Sequence, residues 1–186
     1  GDLDPSDSDS TTNIAVRACA INENGKMGSW SDIYYIHVDS NAPNQSAEMR
    51  QYSSFSSSAL DENVTTTKDY ASEMYLKGTW YLVVKLSDND SLLDSSISIK
   101  QGSTAVTSSC TFGSKHYVYT DGPDTTTAST ESEEKTLESV YMYVYIPIAT
   151  ANLGSSVSYV VYATDTAGHS SSMTYTFKID NTAPTL

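Results

Sequence analysis

The chain has 186 residues, 10 basic against 23 acidic, for a formal net charge of −13. That balance excludes a nucleic-acid surface, because phosphates are held by Lys and Arg; it suits a solvated surface or an oxygen-rich cation site. No run approaches the ~20 apolar residues of a membrane helix, so no direct membrane insertion is expected, and no secretory leader is visible.

Residues 1–12 are Asp, Ser and Thr with almost no apolar content, which predicts a loose lead-in. In 13–20, Ile14, Val16 and Ala18 alternate with polar partners, a strand pattern. Asn22-Glu23-Asn24-Gly25 reads as a turn and 31–38 as the returning strand, giving a β-hairpin. Residues 44–73 carry little pattern. A short strand is expected near Met49–Phe55, then a Ser- and Thr-rich loop, with a turn or two of helix over Lys68–Glu73.

From Leu76 to Ser87 the alternation is strong. Trp80, Leu82, Val84 and Leu86 fall on one face, with Tyr81, Val83 and Lys85 on the other. Asp88-Asn89-Asp90 forms a polar loop. Further strands are expected over 95–100, through Ile97 and Ile99, and over 115–120. Residues 121–136, with a Thr run and Glu131, Glu133 and Glu134, read as an exposed acidic loop that could contact a partner or simply be solvated. Leu137–Ile148 is a long strand, with Val140, Met142, Val144 and Ile146 opposite Tyr141, Tyr143 and Tyr145. The last stretch, Ser158 to Ile179, is two β-rich runs around Gly168.

That last hairpin has an echo. It ends in Asp180-Asn181-Thr182-Ala183-Pro184, and the N-terminal hairpin ends in Asp39-Ser40-Asn41-Ala42-Pro43. A hairpin and linker repeated at long period suggest a chain of β-modules. One complete module preceded by the last two strands of another accounts for the length. The Gly at position 1 suggests a piece cut from a longer chain. Many short alternating strands without a long helix predict an all-β sandwich.

The run Ala163-Thr164-Asp165-Thr166-Ala167-Gly168-His169, followed by a strand and Ile179-Asp180-Asn181-Thr182-Ala183-Pro184, resembles the close of bacterial immunoglobulin-like repeats, which commonly end in an A-x-D-x-A-G-N turn and a V-D-x-T-A-P linker. His169 stands where Asn is usual. Trp80–Asp90 resembles the family's second strand and the acidic loop after it. Leu153 before Tyr159 is similar to a fibronectin type III corner, and the two families share the sandwich architecture. The resemblance covers about 76–184 and 14–43. It implies an immunoglobulin-like sandwich over 42–181, a C-terminal hairpin of a preceding repeat over 13–41, a linker at 182–186, and an extracellular or cell-surface setting in a tandem array.

Three chemistries are candidates. In a sandwich of that topology the B–C and F–G loops share a pole with the start of the first strand. Asp39, Asn41, Asp88, Asp90 and Asp165 could then bind Ca2+, which takes about 6–8 oxygens; Asp and Asn also populate turns for their own backbone's sake. Tyr141, Tyr143 and Tyr145 share a strand face and could stack on a glycan or meet a host protein, or could reflect β-propensity alone. Catalysis has little to stand on. Ser132-Glu133-Glu134-Lys135 matches S-x-x-K without its companion motifs, and His37, His116 and His169 fall in different elements. Two separate thiols are the simpler reading of Cys19 and Cys110; a bridge would staple the hairpin to the module. The expectation is a non-enzymatic spacer, stalk or adhesion module that needs no cofactor and has neighbouring repeats as its partners. The alternatives are a ligand-binding module or an accessory domain of a secreted glycoside hydrolase.

Overall fold

The structure is a computed structural model that describes residues 11–92, 94–120, 122–128 and 137–182. Most of the lead-in, most of the acidic loop at 121–136, and Ala183 and Pro184 lie outside the described residues. The chain divides into two compact units, Gly1–Asn41 and Ala42–Leu186. No helix is long and apolar enough to cross a membrane. The described residues form strands and short 3₁₀ turns, so the fold is all-β.

The first unit is a hairpin in two ladders. β1 (Thr11–Val16) pairs antiparallel with β4 (Tyr34–Asp39), and β2 (Cys19–Ile21) with β3 (Met27–Trp30). Ser31 bridges the gap: its amide donates to Ala18 O at 2.7 Å, and its Oγ accepts from the Ala18 amide at 3.0 Å. At the tip, Asn22 Oδ1 accepts from the Asn24 and Lys26 amides. Gly25 there has φ +76°, a conformation that costs a residue without Cβ little. Among the described residues of this unit no side chain is buried.

The second unit holds two sheets. One contains β5 (Asn44–Tyr52), β6 (Val64–Asp69), β8 (Thr79–Asp88), β11 (Thr111–Phe112), β12 (His116–Tyr119) and β13 (Leu137–Ala149), in the order β11-β13-β8-β5-β6 with β12 also on β13. The other contains β7 (Met74–Leu76), β9 (Ser98–Gln101), β10 (Thr104–Ala105), β14 (Ser156–Thr164) and β15 (Ser170–Ile179), in the order β10-β9-β14-β15-β7. Met49, Leu82, Val84, Leu86, Val140, Val144 and Ile146 from the first sheet share one core with Ile99, Tyr159, Val161, Tyr175 and Phe177 from the second, so the sheets pack face to face. The alternation of β8 and β13 produces this: every second residue points inward.

The stretch 44–73 departs from expectation. The strand begins at Asn44 and ends at Tyr52, and Lys68 and Asp69 belong to a strand, not a helix. Thr65, Thr66 and Thr67 are β-branched and stiff at χ1, which favours the extended chain. Pairing with β5, Met49 opposite Lys68 and Glu48 opposite Asp69, then fixes it. β7 lies parallel to β15, with Phe177 opposite Met74 and Ile179 opposite Leu76, in an otherwise antiparallel sheet.

Candidate functional site

One pole of the second unit gathers the loops the sequence had placed together. β5 begins with Asn44 opposite Ser87, beside the end of β8. Ser91, just past that end, hydrogen-bonds through its hydroxyl to Thr166 Oγ1 and accepts from the Thr166 amide at 3.2 Å. The loop after β8 and the β14–β15 turn therefore meet. Their acids serve these turns. Asp88 Oδ1 accepts from the Asp90 and Ser91 amides at 2.9 and 3.0 Å. Asp165, 1% exposed, accepts from the Gly168 and His169 amides through Oδ1 at 2.6 and 2.9 Å, and its Oδ2 lies 3.1 Å from His169 Nδ1. These N–H groups satisfy the buried Asp165 carboxylate. Asp88, Asp90 and Asp165 are not drawn together as a three-ligand group among the described residues. In the first unit Asp39 Oδ1 caps its own turn by accepting from the Asn41 amide at 3.0 Å.

The tyrosine row splits into different environments. Tyr145 is 2% exposed. The loop after β5 folds across the outer sheet face here: Phe55 stacks on Tyr81 with centroids 4.1 Å apart and lies 6.1 Å from Tyr145. Tyr52 stands edge-on to both Phe55 and Tyr81, and its hydroxyl donates to Leu60 O at 2.9 Å, pinning the loop. Burial pushes the Tyr145 phenol up to about 12. Tyr141, half-buried, stacks on His116 at 4.8 Å, has Lys85 Nζ 4.3 Å from its centroid, and donates to Asp124 at 2.9 Å. Burial first, and the Asp124 carboxylate second, push its phenol up to about 12. Tyr143 is half-buried, edge-on to Tyr141. It borders a shallow groove of about 360 Å³ over Val83, walled by Glu48, Arg50, Asp69 and Lys85. Arg50 there is held by Glu48 and Asp61; burial opposes its charge, but those partners and Tyr52 outweigh burial and raise its pKa.

The opposite pole carries a latch that sequence reading missed. Thr150, 1% exposed, accepts from the Gly78 amide through Oγ1 at 2.8 Å and donates to Asn181 Oδ1 at 3.0 Å. Asn181 Nδ2 returns a bond to Thr150 O at 2.9 Å. The Asp180 amide donates to Leu76 O at 3.1 Å, and Asp180 Oδ1 caps the Thr182 amide at 3.0 Å. Asn181 was visible as part of a repeated linker, but its partner lies 31 residues away in a 3₁₀ turn.

Of the residues considered for catalysis, Ser132 and Lys135 and the His37 side chain lie outside the description. His116 is stacked on Tyr141, and His169 is tied to Asp165. Both cysteines are free thiols. Burial pushes Cys110 up to about 11, which keeps it protonated at neutral pH and unsuited to attack. No family model, curated protein or solved structure matches the chain.

Proposed function

We propose that residues 42–182 are a non-catalytic, immunoglobulin-like spacer module of a multidomain extracellular protein, one unit in a tandem array. The single observation that carries this reading is where the chain enters and leaves the sandwich. β5 begins beside Ser87, at the end of β8, while β15 ends beside Leu76, just ahead of where β8 begins. Those positions are separated by the length of β8, ten residues or roughly 33 Å of strand. Tension applied through the chain therefore runs along the strands. It loads the β5–β8 ladder and the β15–β14 and β15–β7 ladders lengthwise, so many hydrogen bonds resist together. The Thr150–Asn181 latch fastens the exit strand where the load arrives. The tyrosine row lends little support to a glycan platform, since Tyr145 is covered by Phe55 and Tyr141 is flanked by His116 and Lys85.

Single-molecule pulling through the chain ends tests the reading, because forced unfolding is governed by the unfolding barrier. The expected record shows one resolved force peak for the second unit. Thr150→Val should lower that peak and reduce equilibrium stability by about 1–3 kcal/mol, the cost of buried donors and acceptors left without partners. Extension without a resolved peak, or a Thr150→Val record identical to the parent, contradicts the spacer reading.

A further inference from the structure

The N-terminal hairpin and the β14–β15 hairpin share more than their linkers. Asn22 and Asp165 occupy the same place in the two turns. The Asn22 amide donates to Lys26 O as the Asp165 amide donates to His169 O, both at 3.0 Å. Each side-chain oxygen accepts from the amide four residues on, and a glycine with positive φ, Gly25 or Gly168, sits three residues on. Counting back six residues from each gives Val16 and Tyr159. Val16 pairs with Tyr34, and Tyr159 with Tyr175. Two residues along each ladder, Ile14 is opposite Ile36 as Val157 is opposite Phe177. The one difference is length: eight residues separate Lys26 from Tyr34, and six separate His169 from Tyr175. One of the two extra residues is taken up at the break between β1–β4 and β2–β3, the other at the register shift between Cys19 and Ile21.

Matched positions have opposite surroundings. Tyr175 is 0% and Tyr159 3% exposed; Tyr34 is 68% and Val16 42% exposed. Ile21, Met27, Trp30, Ile33 and Val38 are exposed too, so most of the large exposed apolar side chains among the described residues lie in this hairpin. By their register Val16, Tyr34 and Val38 share one face, and an exposed apolar face marks an interaction surface. The second hairpin shows what covers such a face. Tyr70 stands edge-on to Tyr175 and Phe177 at 5.0 and 5.5 Å, Gln45 accepts from the Tyr175 hydroxyl, and Met49, Leu82, Val84 and Val144 complete the core. These covering residues lie ahead of the hairpin in the chain.

We infer that the Val16–Tyr34–Val38 face is one half of a sandwich interface, and that its occupant is an open strand set with the chemistry of residues 42–153. This rests on the tandem-module reading and names the partner its first unit takes: the earlier strands of that unit's own module.

The test places a duplicate of residues 42–153 directly ahead of residues 11–186, so that the N-terminal hairpin stands where residues 154–180 normally follow. The control duplicates 42–180 and so carries the native hairpin. Hydrogen exchange is read at Val16, Tyr34 and Val38. The expected result is exchange slowed at least about tenfold relative to the parent chain, with the protection abolished by Tyr34→Asp. A chimera that exchanges as fast as the parent, or fails to fold while the control folds, overturns the inference. So does protection in the parent itself that rises with concentration alongside a dimer mass, which would make a second copy the occupant. Pulling on the parent reads residues 42–182, so the spacer reading and this one fail separately.

Discussion

Asn22 and Asp165 close two hairpin turns of the same design, and the strands leading from them carry aromatic or β-branched residues at the same paired positions. In the second unit that pattern is rewarded: Tyr159, Tyr175 and Phe177 lie in a core built by both sheets. In the first unit Tyr34 and Val16 face solvent. The difference teaches that an alternating strand pattern specifies a hairpin and its apolar face, while stability depends on the second layer. A two-stranded hairpin alone is marginal in water.

Substitution on the matched face breaks the comparison most sharply. Tyr175→Ala should destabilise the second unit by about 3–5 kcal/mol, through lost burial and the cavity left behind. Tyr34→Ala should change the same unfolding transition by no more than about 0.5 kcal/mol, the range of surface substitutions. Chemical denaturation of the two variants checks this. The turn caps give a smaller contrast. Asp165→Ala leaves the Gly168 and His169 amides without their acceptor at a buried site and should cost about 2–4 kcal/mol. Asn22→Ala, at an exposed turn, should leave that unfolding midpoint where it was while loosening the tip of its own hairpin, seen as faster amide exchange at Asn24 and Lys26.

Much of the fold was legible where burial is one-sided. β8 and β13 announce themselves because Trp80, Leu82, Val84 and Leu86, and Val140, Met142, Val144 and Ile146, recur at period two. β5 and β6 were hard to read because Glu48, Arg50 and the threonines of β6 obscure the pattern, and only Met49 of β5 is fully buried. The parallel pairing of β7 with β15 leaves no local trace, since three residues suffice and the partner is about a hundred residues away. The acids of the loops at the first pole stood out as residues, because Asp at a turn is a local signal. Asp88 and Asp165 accept from the amides of their own turns, so this much of their role is local too. Tyr145 shows the limit of a local reading. Its face was read from the strand, but the Phe55 loop that covers it comes from a stretch with no periodicity.

Hydrogen exchange followed in one sample over both hairpins tests the central claim most directly, because each hairpin serves as the other's control. The account predicts that amides of Tyr159, Val161, Tyr175 and Phe177 exchange only through global unfolding of the second unit, while those of Val16, Tyr34 and Val38 exchange at least about a thousandfold faster through local opening. Equal protection in the two hairpins would contradict it, since the N-terminal face would then already have its cover.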